Sequence, residues 1–360
     1  MKHFIVGPVE TYKEVQNIYK QPYLYFRSNE FGEFVKETLN RLSSLIGNSD
    51  KNSLLYLTMS GTGAMEATIE NCVTPKDKVL VINGGTFGQR FCELLKFHNI
   101  PFDSINLKWN ESLTKEHLKY YENKGYTTLF VNLHETSTGQ LYDVKLLSEF
   151  TKRNNMYFIV DAISTFLADT YDMSKYNIDV TIISSQKGLC LSPGLSFVSL
   201  SKRIIDKIYK TTPSSLYFDF KDYLKNIERG QTPYTPAVFI MYELKAILDL
   251  IDNSGGLEKW LSNIKEKCQY FREQICKIGL NIPTTYNLSN TMTPVICDTV
   301  NANELVKYLR DHYEICVNPC GGNRANYMFR VSHIGNTTKK DIDILIDKIQ
   351  KTIEVLAKRN

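Results

Sequence analysis

The chain has 360 residues, of which 42% are hydrophobic and 23% charged, a composition typical of an ordinary globular protein that argues against a disordered or fibrous one. Its 43 basic and 39 acidic residues are mixed along the chain, so we predict no basic face for nucleic acid. No apolar run approaches the ~18 residues of a membrane span. The first residues hold an apolar stretch of only Phe4, Ile5 and Val6, too short for the core of a signal peptide, which predicts a cytoplasmic protein. The eight cysteines form no C-x-x-C pair, so we predict no metal site or disulfide framework.

Six short runs rich in β-branched and aromatic residues predict strands, at 54–58, 78–82, 128–133, 157–161, 180–184 and 195–200. Segments with helical spacing separate most of these runs, among them AMEATIENCV, GQRFCELLKFHN and VKLLSEFTKRNN. Strands that alternate with helices predict an α/β fold, with a mostly parallel central sheet covered by helices on both faces.

The pattern changes after residue 235. PAVFIMYELKAILDLIDNSGG predicts a long apolar helix that ends at Gly255 and Gly256, and a second helix follows from Leu257. The strand-like runs TPVICDTV and YMFRVSHIG and two further helices then predict a smaller α+β domain. We therefore divide the chain into an N-terminal segment (1–20), a large domain (21–255) and a small C-terminal domain (256–360).

Ligands of doubly wound sheets bind beyond the carboxyl ends of the strands, so the residues that follow each strand are the first candidates for a site. Ser60, Gly61 and Thr62 follow the first strand and lead into a helix, whose N-terminal N–H groups suit a phosphate, although a simple helix cap explains them too. Phe87 follows the second strand in a glycine-rich turn. Its ring could stack on a flat ligand or pack into the core.

Three further strands end in polar residues. HETSTGQ, with His134, Glu135 and Thr136, could contact a ligand or form a polar turn. Asp161 ends a strand that reads as buried, where an isolated charge is costly, so a partner carrying a proton is implied. Lys187 follows the next strand in SSQKGLCLSPG. Burial would lower its pKa from ~10.4 and free the amine to form a Schiff base, whereas a lysine that reaches solvent is the commoner explanation of such a residue alone.

Together these positions require a ligand with a phosphate, a flat ring, a protonated ring nitrogen and an aldehyde, and pyridoxal 5′-phosphate (PLP) has all four. A series of motifs runs almost from end to end, namely GPVE, FRSNEFGEF, SGTGAMEA, GGTFGQR, HETSTGQL, VDAIST, SSQKGLCLSPG, TPYTPAV and FRVSHIG. In their order and spacing these motifs resemble the class V aminotransferases of fold type I. The similar branch contains alanine–glyoxylate, serine–pyruvate and 2-aminoethylphosphonate–pyruvate aminotransferases.

The resemblance implies PLP as the cofactor and assigns roles by position. Lys187 would be the lysine of the internal aldimine, and Asp161 would hold the proton of the pyridinium nitrogen. Phe87 and Ile163 would lie against the two faces of the ring. Thr136 would reach the 3-oxygen of the ring.

The resemblance also implies a phosphate site and a substrate site. Ser60, Gly61, Thr62 and Gln186 would hold the phosphate. Thr235 would complete this site from a neighbouring subunit, which implies a homodimer. Arg330 would bind the carboxylate or phosphonate of the substrate through a bidentate pair.

The implied reaction is a ping-pong transamination through a Lys187 aldimine, in which a small donor of the alanine or serine type gives its amino group to glyoxylate or pyruvate. A 2-aminoethylphosphonate donor is the alternative. Cys320, in a glycine-rich stretch before Arg330, suggests cysteine desulfurase or another PLP-dependent lyase as a less favoured function. Against a desulfurase, Gln186 and Phe87 occupy positions where desulfurases of this family usually carry histidines. A protein that keeps the fold for binding or regulation alone is a third possibility.

Overall fold

The protein is described by a computed structural model that covers residues 1–50 and 53–358. Its strands are β1 (Lys2–Phe4), β2 (Leu54–Leu57), β3 (Val79–Asn83), β4 (Phe102–Asn106), β5 (Thr128–Asn132), β6 (His134–Glu135), β7 (Gln140–Leu141), β8 (Tyr157–Asp161), β9 (Val180–Ser184), β10 (Ser196–Leu200), β11 (Met292–Ile296), β12 (Ile315–Pro319) and β13 (Met328–Ser332). Its α-helices are α1 (Lys13–Gln16), α2 (Asn29–Ile46), α3 (Gly61–Cys72), α4 (Thr86–Phe97), α5 (Lys115–Lys119), α6 (Val144–Arg153), α7 (Lys202–Ile208), α8 (Phe220–Ile227), α9 (Val238–Asn253), α10 (Gly256–Lys277), α11 (Ala302–Tyr313) and α12 (Lys339–Ala357).

A seven-stranded sheet forms the centre of the protein, in the order β2-β10-β9-β8-β5-β3-β4. Strands β9, β8, β5, β3 and β4 pair in parallel, and β10 runs antiparallel to both β9 and β2. Every residue of β2, β5, β9 and β10 is buried, as expected for strands covered on both faces. The predicted α/β architecture, a mostly parallel sheet covered by helices, is confirmed.

The parallel strands direct their carboxyl ends toward one edge of the sheet. Helix α3 begins there directly after β2, where the Oγ of Ser60 caps it by accepting the N–H of Gly63 at 3.2 Å. Helix α4 begins at the same edge, after β3 and the turn at Gly84 and Gly85. Two helix N-termini therefore lie next to the ends of β5, β8 and β9.

A four-stranded sheet, in the order β1-β12-β13-β11, lies in the C-terminal part and also takes up the first strand of the chain. Helix α10 contributes Trp260 and Ile264 to the core of the large sheet and Phe271 and Ile275 to the core of the small one. The domain bounds at 20/21 and 255/256 remain a prediction. Among the helices of residues 1–50 and 53–358, none is long and apolar enough to cross a membrane.

Candidate active site

A cavity of about 170 Å³ opens at the carboxyl edge of the large sheet. Most of the residues singled out in the sequence line it. The lining consists of Ser60, Gly61, Thr62, Met65, Phe87, His134, Thr136, Asp161, Ile163, Ser164, Gln186 and Lys187. Thr235 and Arg330 are the two predicted site residues outside this lining.

The N-terminus of α3 forms one wall of the cavity through Ser60, Gly61 and Thr62. A helix N-terminus presents N–H groups and the positive end of the helix dipole, which suits an anion. A Cβ on Gly61 would lie 2.6 Å from the Cδ1 of Ile163, so a larger residue there would have to displace the Ile163 side chain in the cavity wall. Gln186 accepts a hydrogen bond from Ser184 Oγ at 2.7 Å through its amide oxygen, which leaves its NH₂ group as a donor.

Two titratable side chains line this cavity at the carboxyl ends of neighbouring strands. Asp161, at the end of β8, is 5% exposed, and its Oδ1 accepts the N–H of Ile163 at 2.8 Å. Burial raises the pKa of this carboxyl group to about 7, against the lowering effect of that hydrogen bond and of Lys187. Lys187 follows β9, and burial lowers its pKa to about 8, against the raising effect of Asp161. A buried acid and a buried amine that both titrate near neutrality are typical of a catalytic site.

The N-terminal segment lies against the lysine. A Cβ on Gly7 would lie 2.8 Å from the Cδ of Lys187. The N–H of Val6 donates to Oδ1 of Asn318 in β12 at 2.7 Å, and the N–H of Val9 donates to the carbonyl oxygen of Gln186 at 3.2 Å. The segment thus connects the small sheet to the loop that carries the lysine.

His134 is a cavity residue whose role the sequence left open. Its Nδ1 lies 3.4 Å from the carbonyl oxygen of Ser164, and its buried Nε2 has no hydrogen-bond partner among the described residues. Burial lowers its pKa to about 3, so the ring is neutral at physiological pH. A buried polar atom without a partner in a cavity wall is typical of a site that hydrogen-bonds a polar ligand.

Arg330, in β13, does not line the cavity but hydrogen-bonds the backbone of a residue that does. Its Nη1 donates to the carbonyl oxygen of Thr136 at 2.8 Å, and its Nη2 donates to that of Pro319 at 2.6 Å. Its Nε is buried and has no hydrogen-bond partner within residues 1–50 and 53–358. Thr235 is exposed in the loop between α8 and α9. Its predicted action from a neighbouring subunit stays a prediction.

An anion site, an aromatic ring, a buried carboxylate and a buried amine in one cavity fit the phosphate, ring, ring nitrogen and aldehyde of PLP. The site and the fold together therefore define the class of fold type I enzymes that use PLP. Residues 9–345 match the Aminotransferase class-V family, and the chain belongs to this family of PLP-dependent aminotransferases. When bound, PLP supplies an electron sink for the carbanion at the substrate α-carbon.

Known relatives cover nearly the whole chain. An uncharacterized aminotransferase of Methanocaldococcus jannaschii is 28% identical over 351 residues, which are 94% of this chain and 89% of the relative. Serine–glyoxylate aminotransferase of Arabidopsis thaliana is 26% identical over 348 residues, 93% of this chain and 86% of the relative. The crystal structure of alanine–glyoxylate aminotransferase from Nostoc sp. superimposes with a TM-score of 0.92 at 24% identity, and the match covers 98% of this chain and 96% of that one.

Proposed function

We propose that this PLP-dependent aminotransferase moves an amino group from a small donor of the alanine or serine type to glyoxylate or pyruvate. The observation that carries the reaction class is that Lys187 and Asp161 line the same small cavity, with pKa values of about 8 and about 7. The relatives named for serine–glyoxylate and alanine–glyoxylate transfer support this choice of substrates.

Lys187 and Asp161 have complementary tasks in this proposal. Lys187 is the amine that holds the cofactor, and once displaced by the donor it moves the proton from the substrate α-carbon as a general base. A pKa of about 8 leaves about a tenth of the amine unprotonated at pH 7, far more than in an ordinary lysine. Asp161 holds the proton on the ring nitrogen, because its carboxylate is buried and needs a cationic partner.

The remaining cavity residues bind the rest of the cofactor. Ser60, Gly61, Thr62 and Gln186 hold the phosphate, Phe87 and Ile163 lie against the ring, and Thr136 reaches the 3-oxygen. Arg330 binds the substrate carboxylate once its Nη1 releases the carbonyl oxygen of Thr136 and donates to the substrate instead. The protein acts in the cytoplasm as a homodimer, in which Thr235 of one subunit completes the phosphate site of the other.

The decisive experiment is a half-reaction screen. The protein loaded with PLP is mixed with alanine, serine or 2-aminoethylphosphonate singly, and the loss of cofactor absorption and the 2-oxo product are followed. We expect alanine or serine to convert the cofactor, and no donor to convert it in a Lys187→Ala variant. Conversion by 2-aminoethylphosphonate alone would contradict the proposed donor.

That outcome would favour the second candidate, an aminoethylphosphonate transaminase. The guanidinium of Arg330 fits a phosphonate as well as a carboxylate. A bifunctional phosphonoacetaldehyde hydrolase/aminoethylphosphonate transaminase of Clostridioides difficile is 26% identical over 363 residues, 96% of this chain and 55% of that longer protein.

Cysteine desulfuration is less well supported. Burial raises the pKa of the Cys320 thiol, against the lowering effect of Arg330, so the reactive thiolate is disfavoured. A Cys320→Ala variant should transaminate like the wild type and neither should release sulfide from cysteine. Sulfide release by the wild type that the variant loses would support the lyase instead.

A further inference from the structure

Glu135 carries a carboxylate that is completely buried yet does not line the cavity. It accepts five hydrogen bonds, all from groups at the carboxyl edge of the sheet. Its Oε2 accepts the N–H of Phe87 at 3.1 Å, the N–H of Gly88 at 3.1 Å and the Nδ2 of Asn132 at 3.0 Å. Its Oε1 accepts the N–H and the Oγ of Ser137 at 3.0 and 2.5 Å.

Helix α4 is built around this carboxylate. The first N–H groups of a helix have no partner within the helix, and a negative charge placed there is further stabilised by the helix dipole. Glu135 takes two of these groups, and Ser137 takes a third because its Oγ accepts the N–H of Thr86 at 3.1 Å. The free N–H groups at the N-terminus of α4 are thereby satisfied by side chains of the protein itself.

The glycine-rich turn before α4 is explained by the same contact. A Cβ on Gly85 would lie 2.2 Å from Ser137 Oγ and 2.7 Å from the Cδ of Glu135. A Cβ on Gly84 would lie 2.1 Å from the hydroxyl oxygen of Tyr142. These glycines allow the turn before α4 to pack closely against Glu135, Ser137 and Tyr142.

We propose that Glu135 is a positioning residue of the cofactor site, which fixes the Phe87 ring relative to strand β5 and the Thr136 loop. The inference rests on the proposed role of Phe87 as the residue that stacks on the cofactor ring. Glu135 bonds the backbone of Phe87 on one side and Asn132, the last residue of β5, on the other. Without the carboxylate, the first turn of α4 loses its attachment to the strand that ends beside Asp161.

The test is a double-mutant cycle on cofactor affinity. Glu135→Gln keeps the size of the side chain, but its NH₂ group would face the N–H donors. We expect this variant to weaken PLP binding by the cofactor-free protein at least about tenfold. If Glu135 acts through Phe87, the same change should weaken binding less than about threefold in a Phe87→Ala background, because the ring is already absent.

A matched control is Asp179→Asn. Asp179 is also buried and accepts the N–H of Phe158 at 2.9 Å and the Oγ of Ser201 at 2.8 Å, but it precedes β9 at the opposite edge of the sheet. This variant should lose stability to heat while its affinity for PLP stays unchanged. A purely structural role for Glu135 would make the two variants alike.

Two results would overturn the inference: wild-type affinity in Glu135→Gln, or an equal loss with and without Phe87. If Glu135→Gln does not fold, Ser137→Ala replaces it in the same cycle with the same expectations, because Ser137 ties Thr86 to the carboxylate. PLP affinity, the readout of this cycle, does not depend on which donor the enzyme uses. A wild-type protein that binds PLP but transaminates none of the donors would contradict the substrate proposal and leave the inference about Glu135 standing.

Discussion

Replacing Asp161 with asparagine should stabilise the cofactor-free protein at alkaline pH. Burial raises the pKa of this carboxyl group to about 7, against ~3.9 in an unfolded chain. Between these two values the folded protein holds a proton that the unfolded chain has released, so the free energy of unfolding falls as the pH rises. The full difference corresponds to about 4 kcal/mol above pH 7, and the uncharged variant escapes it.

The assay is urea unfolding of both cofactor-free proteins at pH 5.5 and pH 8.5. The stability advantage of Asp161→Asn should be larger at pH 8.5 by about 2 kcal/mol, because part of the penalty is already present at pH 5.5. Asp206→Asn, which removes an exposed carboxylate, serves as the control. Its free energy of unfolding should differ from that of the wild type by the same amount at pH 5.5 and at pH 8.5. An advantage of Asp161→Asn that does not change with pH would refute the reasoning.

The same Asp161→Asn variant should lose activity, by on the order of 10²-fold or more in kcat, because nothing then holds the proton on the ring nitrogen. Lys187→Ala should abolish turnover and the absorption of covalently held cofactor while the protein still unfolds cooperatively. Full activity in this variant would refute the role of Lys187 as the lysine that holds the cofactor. Since burial lowers the pKa of Lys187 to about 8, the rate of PLP capture by the cofactor-free protein should rise up to about pH 8 and then level off. A continued rise toward pH 10 would mean that the amine is solvated. Gly61→Ala should weaken PLP binding about tenfold, because its Cβ would crowd Ile163; Gly321→Ala, with nothing within 4 Å of its Cβ, should bind PLP normally.

The strands of the large sheet were predictable where both faces are buried, since they then appear as short apolar runs. The edge strand β4 was missed for the opposite reason. Its sequence FDSIN has few β-branched residues, and its side chains are mostly partly or fully exposed. The three-residue strand β1 was also missed, because it exists only by pairing with β12, more than 300 positions away.

Helix α2 could have been predicted and was not. Ser28 caps it by accepting the N–H of Phe31 at 3.2 Å, and the apolar residues Phe31, Val35 and Leu42 lie on one buried face. The stretch FRSNEFGEF holds both a motif of the family and the capped first turn of this helix.

For the site, the ends of the strands carried most of the information. The carboxyl ends of parallel strands share one edge, so Asp161 and Lys187 could be placed in one cavity from the sequence alone. The orientation of the Glu135 side chain could not be predicted, because neighbouring residues in HETSTGQ contact different parts of the protein. Thr136 lines the cavity, whereas Glu135 turns to α4, and only the hydrogen bonds distinguish them.

The N-terminal segment has a practical consequence for protein engineering. Residues 2–4 form an edge strand of the small sheet, and Gly7, three residues after that strand ends, lies against the side chain of Lys187. Trimming the first nine residues would therefore remove both an edge strand of the small sheet and the segment that packs against Lys187. Helix α12, at the other end of the chain, contributes no residue to the cavity lining, so a purification tag or fusion partner belongs there.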